Sequence, residues 1–551
     1  MISKFNQAFE LCLLSLILVL TLTTCTMNRI KVDLIIHNAK VYTVDENFSI
    51  AEAIAIKDGK IIEVGSNKTI LSKYTSAQMR NVKGKYVYPG FYDSHCHFYG
   101  YGLNKKRIDL TSCSSFEEVL KRVTIFADEN KNGWIVGRGW DQNLWAKKDF
   151  PDNEKLNELF PDRPVMLIRV DGHAVLVNQK AYNLSGVNDG KMKKFIHYKN
   201  GKFSGILLEK AADMVKTAAS NPEPEEVAEA LITAEKDCIR VGLTSITDAG
   251  LDPDIIDIID QLHKSGKLLI RINAMLNPGD ESISFIKERG ILKTSRLHVC
   301  SIKLYADGAL GSRGACLLEP YSDQPGHYGT MVEQEDHYRL YCQIALENHY
   351  QICCHAIGDS ANRMILNIYS EYLKGPNDRR WRIEHAQVIN EPDFSLFREF
   401  NIIPSIQPAH ATSDMDWAEQ RLGHERIKNA YAYKKLMHTN RWLPFGSDFP
   451  VEQINPIYGF YSAVFRQDKN GKPEQGFQAE NSLSRSDALR AMTIWAAKAS
   501  FEEAEKGSIE TGKYADIVIL DQDLLNADRE SVYTCSVLIT IINGQIVYKN
   551  Q

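Results

Sequence analysis

The chain has 551 residues, enough for two or more domains or for one large barrel with attachments. An apolar fraction of 44% and a charged fraction of 25% are those of an ordinary globular protein, which excludes a disordered or fibrous chain. A net charge of −5 with no Lys/Arg-rich run gives no reason to expect a nucleic-acid partner.

The first 25 residues read as a leader. After Lys4 comes LCLLSLILVLTL (11–22), too short to span a bilayer comfortably, since a spanning helix needs about 20 apolar residues. TTCT follows, the layout of an export signal that is set aside before the fold is read. The Leu-Thr-Thr-Cys ending at Cys25 resembles a bacterial lipoprotein signal. That implies export and a lipid anchor on Cys25, with an uncleaved membrane anchor as the alternative. Setting Cys12 and Cys25 aside leaves nine of the 11 cysteines, scattered and without a CxxC pair, so buried thiols are expected and no disulfide.

Residues 30–88 are strand-like, with VDLIIHNAKVYTV (32–44) and AEAIAIKDGKIIEVG (51–65) broken at Asn and Asp-Gly. The far end, 506–551, has the same texture in YADIVILD (514–521) and VLITIINGQIVYKN (537–550). Each set alone would expose an edge and an apolar face, so the two are expected to pair as one composite β-sandwich.

Between them, 89–505 alternates strand and helix. VAEALITAEKDCIRVG (227–242) has helical spacing and ends on Gly. Eight candidate strands follow the same rhythm: YPGFYDSHCH (88–97), LTSITDAG (243–250), IRINAML (270–276), SIKLYADG (301–308), ICCHAIGD (352–359), WRIEHAQ (381–387), IIPSIQPAH (402–410) and LPFGSDFP (443–450). Eight parallel strands close an α/β barrel of the (β/α)8 TIM type, with an open doubly wound sheet as the alternative. The interval of about 100–240 is too long for one crossover. It contains GWIVGRGWDQNLW (133–145) and PVMLIRVDGHAVLVN (164–178), and is read as a cap insertion at the carboxyl face.

On a strand, His95 and His97 point to one side and Cys96 to the other. An HxH pair alone is equally two polar residues at a strand end. Further residues arrive at the ends of other strands, namely Lys303, His355, His385 and Asp448. Singly, each histidine could be a satisfied core residue and Asp448 a helix cap. Buried together without a cation, they would carry a large desolvation cost.

With PGFYDSHCH, KLYADGALGSRGA, HAIGD, EHAQ and GSDFPV around them, these positions resemble the amidohydrolase superfamily, in the branch that includes N-substituted formamide deformylases (amidohydrolase family 3). The resemblance implies a divalent-metal hydrolase with two zinc ions. His95, His97 and Asp448 would hold one ion, His355 and His385 the other, with a carboxylated Lys303 bridging them. An unmodified Lys303 could instead bind a substrate carboxylate or pair with Asp307, and a mononuclear site could use part of the set. Asp448 is the expected catalytic acid/base for hydrolysis of a carbon–nitrogen amide-type bond.

The same site could open a lactone or ester, or deaminate. A non-enzymatic alternative is an exported solute-binding lipoprotein. Candidate substrate residues are His173, Arg313 and Trp140, with Trp145. Their bland readings are a structural histidine turn, an Asp/Glu-paired arginine and cap core. No G-x-S-x-G nucleophile elbow is present. Expected partners are a small-molecule substrate, the membrane through the lipid anchor, and further copies of the chain in a homo-oligomer.

Overall fold

The computed structural model describes residues 29–550 apart from 106, 112, 170–173, 188, 200, 220, 221 and 312. The leader with Cys25, and His173, lie outside the described residues. Among the described residues, no helix is long and apolar enough to cross a membrane.

Seven parallel strands form the central sheet in chain order: β1 (Phe91–Cys96), β2 (Leu243–Leu251), β3 (Arg271–Leu276), β4 (Leu297–Tyr305), β5 (Gln351–Ala356), β6 (Arg382–His385) and β7 (Ile403–Ser405). Period-2 alternation gives the barrel two apolar faces. Ile246, Ile272, Ile302, Ile352 and Ile383 pack outward in the main core, while Ala249, Met275 and Cys353 form an inner plug. The eighth segment carries the sheet round from β7 to β1 without becoming a regular strand. Phe445 makes a single parallel bridge to Ile406. On the other side, Ser94 N–H donates to Phe445 C=O at 3.3 Å and Asp448 N–H to His95 C=O at 2.8 Å. Pro444 has no N–H to give, and Asp448 sits at φ 62, outside the strand region.

Helix α1 (Phe98–Lys105) follows β1, and α2 (Pro224–Arg240) precedes β2. Pro at the first turn and a Glu223/Glu226 capping box start α2. Val227, Leu231, Ala234 and Cys238 bury its apolar stripe. Cys96, on the outer face of β1, lies in the same core, and its Sγ donates to Thr247 C=O at 3.3 Å. All nine described cysteines are free thiols.

Between α1 and α2 the chain builds its own six-stranded sheet from Ile108–Asp109, Ile135–Trp140, Val165–Arg169, Ala174–Val177, Lys202–Leu208 and Ile196–Lys199. Separate apolar clusters cover its two faces. The terminal segments form a four-stranded and a six-stranded sheet. In the latter, Ile517–Leu520 pairs antiparallel with Tyr86–Pro89. Leu34, Ile36, Ile54, Val87, Ile517 and Ile541 share the core between the sheets, so both chain ends build one sandwich.

Candidate metal centre

The site is assembled at the carboxyl ends of the barrel strands, starting from β1. Asp93 and His95 share its inner side and are buried. The Asp93 carboxylate accepts from His95 N–H at 3.1 Å, Ser447 N–H at 3.0 Å and Ser447 Oγ at 2.6 Å. It thereby clamps β1 to the segment that delivers Asp448. Burial pushes Asp93 up to about 7, against the pull of these hydrogen bonds. The clamp needs a glycine between the two chains, because a Cβ on Gly446 would fall 2.4 Å from His95 N. After His97 the chain turns into α1, where Asp248 accepts from Tyr99 N–H at 2.9 Å and fixes the turn.

Asp448 is the hub. Its Oδ1 lies 3.1 Å from His97 Nε2 and 3.6 Å from His95 Nε2. Lys303 Nζ reaches to 3.3 Å from His95 Nε2, under the ring of Tyr305 at 4.8 Å. His385 stands with its ring centre 5.0 Å from that of His95 and 4.6 Å from that of His355. Donor atoms of His95, His385 and Asp448 lie within 4.8 Å of one another. His97 is the open member, with 34% of its side chain exposed.

His385 reaches this cluster by breaking the strand rule. Arg382 and Glu384 are on the inner side of β6 and Ile383 is outside, so simple alternation would send His385 outward. Its φ of 74 turns the chain and brings the imidazole in. A non-glycine residue there costs of order 1–3 kcal/mol, a kind of strain that gathers at functional sites.

The electrostatics suit a cation. Burial, with Lys303 nearby, lowers His95 to about 4 and His355 to about 3, and burial takes His385 well below its ordinary value. All three are therefore neutral and carry a lone pair. Burial alone would raise Asp448, but the imidazoles of His97 and His95 hold it well below the carboxylate range. Burial also lowers Lys303. Asp307 does not pair with that lysine; its oxygens accept from the N–H groups of Cys316, Ile357 and Gly358. Among the described residues, His355 Nε2, His385 Nδ1 and His410 Nε2 are buried without a hydrogen-bond partner. Buried polar atoms are normally paired, and converging lone pairs with one carboxylate are what a bound divalent ion satisfies.

Beside Asp93, two further residues that sequence reasoning missed shape the ligand cluster. Glu384 accepts from His95 Nδ1 at 2.5 Å and sits 2.6 Å from Arg382 Nε, all of it buried. That bond fixes the His95 tautomer and leaves Nε2 facing Asp448. His410, on α3 (Pro408–Asp414), stacks on His385 with ring centres 5.8 Å apart. Two candidate substrate residues are not brought in. Trp140 is core of the inserted sheet, 1% exposed, with Nε1 donating to Leu167 C=O and its ring beside Trp145, because an indole satisfied inside a layer has no free face for a ligand. Arg313 spends its guanidinium on Asp323 at 2.8 Å and 3.1 Å.

A family model described as amidohydrolase family matches residues 78–548. Protein LONG AFTER FAR-RED 3 of Arabidopsis thaliana is 32% identical over 94% of this chain and 92% of its own. N-substituted formamide deformylase of Arthrobacter pascens is 25% identical over 94% of this chain and 98% of its own. Among solved structures, a metal-dependent hydrolase from Pyrococcus horikoshii superposes with a TM-score of 0.77 at 27% identity, covering 90% of this chain and 99% of that one.

Proposed function

The chain belongs to the amidohydrolase family, and we propose that it hydrolyses a carbon–nitrogen bond of a small non-peptide amide with the help of divalent metal, two zinc ions being the reading the residues favour. The observation that carries this is the pair of buried nitrogens on His355 and His385 that lack a partner among the described residues, converging with His95 and the Asp448 carboxylate. His95, His97 and Asp448 would hold one ion and His355 and His385 the other. Lys303, buried with no carboxylate at its Nζ among the described residues, would join them after its free amine adds carbon dioxide and loses a proton to become a carbamate. Metal bound here supplies Lewis acidity, lowering the pKa of water to about 7 and polarising a carbonyl.

The chain's own residues do the rest. Asp448, held ionised, accepts the proton of the attacking water and passes it to the departing nitrogen. Glu384 keeps His95 in the tautomer with Nε2 free, and Asp93 holds the Asp448 segment against β1. The likeness to N-substituted formamide deformylase makes N-substituted formamides the first substrates to try, beside other amides and lactones.

The test is elemental analysis of protein purified without chelator, beside the double variant His95→Ala/His97→Ala. About two ions per chain in the parent, reduced in the variant, together with turnover of an amide, support the reading. A parent that takes up no ion after zinc and bicarbonate are supplied refutes it.

A further inference from the structure

His410 has no place in that ligand set, yet it stands at the hub. Its Nε2 is 3.7 Å from Asp448 Oδ2, too far for a hydrogen bond, and has no partner among the described residues, while 11% of its side chain is exposed. The two oxygens of Asp448 are thus approached from different sides. His95 and His97 face Oδ1, and His410 faces Oδ2.

The ring is held in place independently of Asp448. One face is stacked on His385 at an interplanar angle of 20°. Its helix is anchored by a polar wall. Asp414, one turn on and therefore on the same face, accepts from Tyr431 Oη at 2.8 Å, and that hydroxyl accepts from Gln387 Nε2 at 2.9 Å. A buried imidazole stacked in this way on an anchored helix, with Nε2 left without a partner among the described residues beside a carboxylate, is arranged for a third group.

Amide hydrolysis calls for such a group. As water adds, negative charge develops on the carbonyl oxygen, and a preorganised N–H aimed at it is among the largest aids to the reaction. The other imidazoles, Asp448 and Lys303 are committed to the cation, which leaves His410 as the side chain beside them with a nitrogen to offer. We infer that His410 Nε2–H binds the carbonyl oxygen of the substrate, an inference that rests on the hydrolase reading above. The water oxygen bonds to the carbonyl carbon and the C=O pair moves onto the oxygen facing His410. The water proton goes to Asp448 Oδ2. The pair then returns, the C–N bond breaks, and that proton leaves on the nitrogen, giving acid and amine.

The experiment compares full-length metal-loaded parent, His410→Ala and His410→Gln, which keeps an N–H donor and near-normal bulk. Three quantities are read: metal per chain, calorimetric affinity for methylphosphonate as a tetrahedral oxyanion, and kcat and KM on an N-substituted formamide. Metal content equal to the parent, methylphosphonate binding at least about tenfold weaker in the alanine variant, kcat down by about 10²–10³ with KM less affected, and partial recovery in the glutamine variant support the inference. It is overturned if either variant loses metal, which would make His410 a ligand, or if oxyanion affinity and kcat stay within about twofold of the parent. A parent that binds no metal fails the hydrolase reading itself and takes this inference with it. A metal-loaded parent with indifferent variants removes His410 alone.

Discussion

Glu384→Gln tests how the site is built. The carboxylate lies between His95 Nδ1 at 2.5 Å and Arg382 Nε at 2.6 Å, and neither Glu384 nor Arg382 has any exposure. Two unit charges with centres about 4 Å apart attract by about 4 kcal/mol at an effective dielectric constant near 20. Losing one partner of a buried pair costs about 3–5 kcal/mol, because the other is left uncompensated. Arg382 keeps its bonds to Ser94 C=O at 2.7 Å and Ser405 Oγ at 3.0 Å, so the middle of that range is expected. In a calorimetric scan of metal-free protein this is a fall of roughly 5–10 °C, taking the small shift per kcal/mol of a large domain. Metal affinity should drop about 10–100-fold, since the carboxylate no longer orients His95. Burial would raise the Glu384 carboxyl, but Arg382 and His95 hold it well below its ordinary 4.5. A depressed folded value means the unfolded chain takes the proton first. The parent-minus-variant difference should therefore be full above pH 4.5 and shrink as the pH falls below it. A variant that melts with the parent at pH 7 and binds zinc as tightly would refute this account.

Two further outcomes follow from the same geometry. Gly446→Ala would place a Cβ 2.4 Å from His95 N and 2.6 Å from Asp93 Oδ1, so β1 and the Asp448 segment must part. Zinc content should fall and thermal stability drop by at least about 1–3 kcal/mol, and a variant with the parent's zinc and melting temperature would show that the approach is not needed. Lys303→Met keeps the volume but cannot form a carbamate. Its zinc should fall to about one ion per chain or less, and retention of two ions would remove Lys303 from the bridging role.

Much of the fold could be read from the sequence because parallel strands end in polar residues and begin in apolar ones. LTSITDAG and ICCHAIGD show that switch, and both became barrel strands. LPFGSDFP shows it too, but Pro444, the close approach at Gly446 and the left-handed Asp448 leave only one bridge where a strand was expected. The pairing of the two chain ends followed from edge and face arguments alone, and the shared core of Leu34, Val87 and Ile517 is the packing that those arguments demand.

The site was legible only where side chains obey the strand period. His95 does. His385 does not, and was found through its motif rather than its geometry; the left-handed turn that carries it inward has no sequence signature in a residue without a glycine. Glu384 did have one. Arg382 and Glu384 at i and i+2 of WRIEHAQ put two charges on one side of a short strand within an apolar barrel. Charges so placed are affordable only when each neutralises the other or serves a third group. Here they do both, since Glu384 also holds His95. His410 is harder, because it belongs to a helix that begins at Pro408, where the eye continues the strand from IIPSIQ. Pro404 sits within β7, so a proline alone does not mark the end; Pro408 does, because it stands at the first position of the helix that carries His410.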